Sequence, residues 1–127
     1  QGRIALEVYE APVCGDAGLS LLGRCSRETY TGALEGDGDV AVASIDPLET
    51  DGVVAITENE VIHLPDGDLS AQVDAVYQAE SPDRAFVSLH TITGGKGKYA
   101  GASGHIRVWG SAASEQADYV AAIHLAK

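Results

Sequence analysis

The chain has 127 residues, 45% hydrophobic and 21% charged, which suits a single domain over residues 1–127 with one core and excludes wholesale disorder. Eight Lys+Arg against 19 Asp+Glu leave a formal net charge of −11. Nucleic acid and anionic membrane surfaces are therefore poor partners, because both are bound by neutralising phosphate. No apolar run reaches the roughly 20 residues of a membrane helix.

Period-two alternation begins at once. Ile4, Leu6 and Val8 share one face of the first run, with Glu7 and Tyr9 on the other. Next come Cys14 and Cys25, flanking a segment with Gly15, Asp16, Gly18, Ser20 and Gly23. An even cysteine count at short spacing, without clustered metal ligands, predicts a disulfide and an exported protein whose leader has been removed. The expected localisation is secreted or periplasmic.

Further strand-like runs cover residues 28–34, 40–45, 53–63, 69–78, 85–92, 105–109 and 118–125, rich in Val, Ile, Thr and Tyr. Between them, Glu35-Gly36-Asp37-Gly38-Asp39 reads as a hairpin turn. Further breaks fall at Asp46-Pro47, Asp51-Gly52, Pro65-Asp66-Gly67, Ser81-Pro82 and Gly94-Gly95. Residues 111–118 suit a hairpin connection better than a helix. Seven or eight short strands at near-regular spacing predict an all-β barrel or sandwich, and closure into a barrel would remove exposed edges.

Several strand residues are candidates for chemistry. His90 alternates with Phe86, Ser88 and Ile92, and could shuttle a proton or bond a neighbouring strand. Asp74, on the face of Gln72 and Val76, is a second titratable candidate. Tyr30, Tyr77 and Tyr119 are either cavity walls or core, and Trp109 is either a wall for an aromatic ligand or a plug. His63, His105 and His124 lie in different strands without zinc-site spacing, so no metal is expected. The chain lacks a Gly-x-Ser-x-Gly elbow and a Cys/His pair, which argues against acyl-enzyme hydrolysis.

The densest motif is Ile92-Thr93-Gly94-Gly95-Lys96-Gly97-Lys98-Tyr99-Ala100-Gly101-Ala102-Ser103-Gly104-His105-Ile106. A phosphate-cradling loop would have to open a helix, and nothing here does. The stretch resembles the Gly-rich hairpin of plant allene oxide cyclases, with echoes in dirigent proteins and bacterial barrel cyclases. Leu6-Glu7-Val8-Tyr9-Glu10 resembles that family's first strand, and Tyr30-Thr31-Gly32-Ala33-Leu34 its Y-T-G-x-L strand.

The resemblance implies a closed antiparallel eight-stranded calycin-like barrel, often trimeric, with a mostly apolar cavity for a small hydrophobic molecule. It also implies that Glu7 faces that cavity, where desolvation would raise its pKa toward neutrality. The family's nearby asparagine is replaced by Tyr9, and its mid-chain cysteine has no counterpart. These departures bear on the fatty-acid epoxide reaction and leave the barrel untouched.

The expected function is cofactor-free cyclase, isomerase or related proton-transfer chemistry on a small hydrophobic or aromatic molecule, with a pigment or antibiotic among the candidate substrates. Glu7, His90 and Asp74 are the expected acid–base groups. Tyr9, Tyr30, Tyr77, Trp109 and Tyr119 are the expected ligand contacts. The alternatives are a non-catalytic carrier and a dirigent-like guide, and self-association, as a trimer, is expected in every case.

Overall fold

The computed structural model describes residues 1–48 and 52–126; Asp51 of the expected Asp51-Gly52 break lies outside them. Eight antiparallel strands form a meander that closes on itself. They are β1 (Gly2–Glu10), β2 (Arg24–Gly32), β3 (Gly36–Pro47), β4 (Val53–Leu64), β5 (Gly67–Gln78), β6 (Ala85–Gly97), β7 (Ser103–Ser111) and β8 (Gln116–His124). Closure comes from β1 pairing with β8 from Gly2↔Tyr119 to Ala5↔Gln116. No α-helix occurs among the described residues.

The register fixes which face is inside. Ile4 pairs with Tyr30 and Ala117, and Tyr30 with Gly36. Leu6 pairs with Glu28, which pairs with Gly38, which pairs with Ile62. Paired residues share a face, so this set and its period-two neighbours fill the lumen. One end is packed solid by Ile4, Tyr30, Ile62, Leu69, Ile92, Ile106 and Tyr119, all at most 5% exposed. Burying each aliphatic side chain is worth about 1.5–3 kcal/mol.

Tyr30 and Tyr119 meet edge to face with centroids 5.4 Å apart. The Tyr119 hydroxyl donates to Thr31 O at 2.8 Å and accepts from Leu34 N at 2.7 Å. It thereby ties the β2–β3 turn to β8 and seals this end.

Two expected breaks are strand instead. Gly36 and Gly38 lie within β3, and the turn is compressed into residues 33–35. The reason is spatial: a Cβ on Gly38 would stand 2.6 Å from Glu60 Oε2 and 3.2 Å from the Tyr30 ring. The glycine makes room in the lumen and does not reverse the chain. Likewise β6 runs through Gly94-Gly95 to Gly97, with a register shift opposite Ser70/Ala71. Asp46 and Pro47 end β3 and do not interrupt it. Residues 112–115 form the expected β7–β8 connection.

Cys14 and Cys25 form the expected disulfide, with Cα atoms 5.2 Å apart. The bridge packs with Ala41, Tyr9, Ala11 and Ala17 on the outside of the barrel. It pins the segment between β1 and β2, a geometry suited to an oxidising compartment outside the cytosol.

Candidate functional site

Above the packed end, the lumen turns polar. Glu28 on β2, Glu60 on β4 and His90 on β6 are 8%, 1% and 2% exposed. Each follows from strand alternation: Glu28 is two residues from Tyr30, Glu60 two from Ile62, and His90 two from Ile92. All three partners belong to the core. The His90 Nδ1 lies 2.6 Å from Glu60 Oε1, and its Nε2 lies 3.1 Å from Ser88 Oγ.

The Tyr30 hydroxyl is 2.8 Å from Glu28 Oε2 and 2.9 Å from Glu60 Oε2. A phenol has one proton to give, so holding both carboxyl groups requires one of them to be protonated. No buried side-chain polar atom among the described residues lacks a partner.

Burial dominates the electrostatics. It pushes Glu28 well above the carboxylate range, and the negative charge of Glu60 adds to the effect. Glu60 is pushed up to about 7 by burial, against hydrogen bonds from Glu28 and Tyr30 that lower it. Glu58, two residues earlier on β4, is pushed up to about 7 by burial and then by Glu28. His90 is held below its ordinary value by burial, which outweighs the nearby glutamates. Burial, then Glu28 and Glu60, drive the Tyr30 phenol well above its usual value. Burial thus favours a protonated Glu28 and brings Glu58 and Glu60 into balance between their protonated and ionised forms near neutral pH.

The opposite end of the barrel is open. A cavity of about 460 Å³ there is lined by Val8, Val42, Ile45, Ile56 and Tyr77, with Arg24, Arg84 and Glu115 also on its wall. Glu58 also lines the cavity and is the member of the acidic group that meets it. The arrangement is a chamber of mixed apolar and charged walls, with the shifted Glu58 carboxyl on one side and the buried acidic cluster behind it.

The sequence candidates divide between two faces. His90, Tyr30 and Tyr119 are in the lumen, Tyr119 as the seal of the packed end, and Tyr77 lines the cavity. Glu7 does not face the cavity: Leu6 pairs with Glu28 and Val8 with Ser26, so the alternation turns Glu7 outward, where it is exposed. Tyr9 shares that outer face and packs against the disulfide. Asp74 and Trp109 also lie outside, in a groove with Val76, Val87, Leu89 and Arg107. Ile4 and Leu6 turn into the lumen and Val8 onto the rim of the open-end cavity, where it is 74% exposed, so Glu7 lies on the opposite, outer face.

Glu28, Glu58 and Glu60 are the site residues that sequence reasoning missed. The signal was present: Ile56, Glu58, Glu60 and Ile62 alternate on one face of a Val- and Ile-rich strand.

Outside the barrel, His63 Nε2 lies 3.1 Å from Asp16 Oδ2 and 3.3 Å from Asp39 Oδ2, and its Nδ1 lies 3.0 Å from Asp68 Oδ1. Burial lowers the His63 pKa, but hydrogen bonds to Asp68 and Asp39 and the charges of Asp68 and Asp16 outweigh it and raise it. The three carboxylates surround one imidazole and favour its protonated form.

No protein-family model, curated protein or solved structure matches this chain.

Proposed function

We propose that this barrel is a cofactor-free catalyst of proton transfer, of the cyclase or isomerase kind, acting on a small apolar or aromatic molecule held at its open end. Glu58 is the acid or base that touches the substrate. Glu60, His90, Glu28 and Tyr30 sit behind it and hold or accept the proton.

The observation that carries the reading is the shifted Glu58 on the wall of the open-end chamber, beside apolar Val42, Ile45, Ile56 and Tyr77. A carboxyl group with a pKa of about 7 is matched to acid–base work at neutral pH. A carrier for the same ligands would gain nothing from three buried carboxyl groups beside its cavity, which is why the catalytic reading is preferred.

A substrate-independent probe is 5-nitrobenzisoxazole, whose ring opens when a base removes its carbon-bound proton. The wild type should open it with a rate that rises with pH through about 7, as Glu58 ionises. Glu58→Gln should lower that rate by roughly 10²- to 10⁴-fold, the usual worth of a positioned base. Equal rates in the two proteins would remove Glu58 from the mechanism. Binding of the probe without any acceleration would favour the carrier.

The reading extends to setting and assembly. The protein works in an oxidising compartment, secreted or periplasmic, and it self-associates, with a trimer favoured. The outer groove supports assembly: Val76, Val87, Leu89 and Trp109 are 43%, 58%, 39% and 44% exposed in one patch. Light scattering at micromolar concentration should return an oligomer, and Trp109→Asp should dissociate it. A monomeric wild type would reject the assembly and leave the chemistry standing.

A further inference from the structure

The absence of a Gly-x-Ser-x-Gly elbow argues against acyl-enzyme chemistry, but the side-chain geometry of the same lumen points the other way. Ser88 and His90 stand two residues apart on β6, so both point inward. The imidazole is held between two partners: Nδ1 is 2.6 Å from Glu60 Oε1, and Nε2 is 3.1 Å from Ser88 Oγ. When Nδ1 keeps its proton and donates it to Glu60, Nε2 carries a lone pair aimed at the Ser88 hydroxyl. Serine, imidazole and carboxyl in this order are the parts of a nucleophilic triad, which is recognised by geometry and not by its place in the sequence. We propose that Ser88 is an activated nucleophile, with His90 as its base and Glu60 as the group that orients His90, and that the barrel forms a covalent acyl-enzyme with small activated esters.

The step balances without a further reagent. Ser88 Oγ attacks the ester carbonyl carbon while its proton passes to His90 Nε2. The tetrahedral adduct then collapses, the bond from carbon to the leaving oxygen breaks, and His90 returns the proton to that oxygen. Water repeats the sequence in reverse and frees Ser88.

Ser88 is partly exposed and paired with Ala75 and Val108. Ala75 in turn pairs with Ile56 of the open-end cavity wall, and Ser88 also borders the outer groove beside Val87 and Leu89. His90 is 2% exposed and held below its ordinary pKa by burial, which keeps it uncharged with one ring nitrogen free to accept a proton at neutral pH.

This activity stands apart from proton transfer at Glu58, because its product is a covalent adduct that ring opening of a benzisoxazole does not leave. The experiment is to mix the whole protein with excess 4-nitrophenyl acetate, follow nitrophenolate release, and locate the acetyl group by peptide mass spectrometry after acid quench. A burst of about one equivalent, with the acetyl group on the peptide carrying Ser88, is the expected result.

Ser88→Ala should abolish the burst, and it should also lower the melting temperature because it leaves the buried His90 Nε2 without a partner. Ser88→Cys should restore a burst through its thiol, and this variant decides the matter if the alanine form folds poorly. His90→Gln should slow acylation by at least about 100-fold. Acetylation confined to lysines or the N-terminus, or a burst that survives Ser88→Ala, would overturn the assignment and leave Ser88 as a hydrogen-bond partner of His90 alone.

Discussion

Replacing Glu60 by glutamine should change the shape of the stability–pH curve more than its height. The glutamine amide has the same outline, can still accept from Tyr30 and His90, and cannot ionise. In the wild type, Glu60 titrates near 4.5 when unfolded and about 7 when folded. Between those values the native state binds more protons than the unfolded chain, so stability falls as pH rises. The contribution is fully present below about pH 4.5 and lost once pH passes about 7. A shift of this size corresponds to about 3 kcal/mol.

His90 works in the opposite sense. Its lowered pKa makes the native state lose stability as pH falls below about 6.5, where the unfolded histidine protonates. The cleanest window is therefore pH 6.5–8. Urea unfolding by circular dichroism, at half-unit steps from pH 5 to 8.5, should show a wild-type midpoint that drops across this window. Across this window the Glu60→Gln curve should be flatter by roughly 1 kcal/mol, because most of the Glu60 contribution is already lost between pH 4.5 and 6.5, and the variant should be the more stable protein at pH 8. Parallel curves would mean that Glu60 ionises in the barrel as easily as in water, and the account of a proton-holding cluster would fail.

Two further outcomes test the scaffold around the cluster. Gly38→Ala should destabilise by about 1–3 kcal/mol, because its methyl group would press on Glu60 and the Tyr30 ring; a thermal melt indistinguishable from wild type would show that the lumen has slack at this level. Removing the bridge with Cys14→Ser and Cys25→Ser together should cost about 3 kcal/mol by denaturant titration, as expected for a loop closed over 11 residues, and an unchanged midpoint would mean that the segment between β1 and β2 is held by its packing alone.

Strand alternation was the part of this molecule easiest to read. All eight strands overlap the runs visible in the sequence, and the disulfide followed from two cysteines and the turn-rich segment between them. What alternation lacks is a sign: it sorts residues into two faces without saying which is inside. For β1 the apolar set Ile4, Leu6 and Val8 argued for one answer and the family likeness of Glu7 for the other, and burial of apolar surface decided it.

The same ambiguity hid Glu58 and Glu60, because acids alternating with isoleucines read as a wet edge until the pairing of Gly38 with Ile62 turns that face inward. Gly36 and Gly38 misled for a related reason. Glycine serves both to turn a chain and to yield space to a neighbour across a lumen. Only the contact with Glu60 and Tyr30 tells these uses apart.

The energetic logic of the lumen supports function over architecture. Three carboxyl groups and an imidazole in a space that leucines could fill are a poor way to hold a barrel together. Buried ionisable groups typically break even or lose against apolar residues of the same volume. The packed end shows the alternative already in use, with Ile4, Ile62, Leu69, Ile92 and Ile106 filling the same lumen a few residues away. Yet the polar half is neither loose nor half-paired. Every buried side-chain polar atom among the described residues has a partner, and Gly38 yields the space that Glu60 and Tyr30 occupy. Such complete pairing fixes each group in one orientation before any ligand arrives, which is what acid–base and nucleophilic chemistry require of a site. The stability forgone in the middle of the barrel therefore favours placing the proposed chemistry there, in the glutamates and the histidine between the sealed end and the open one.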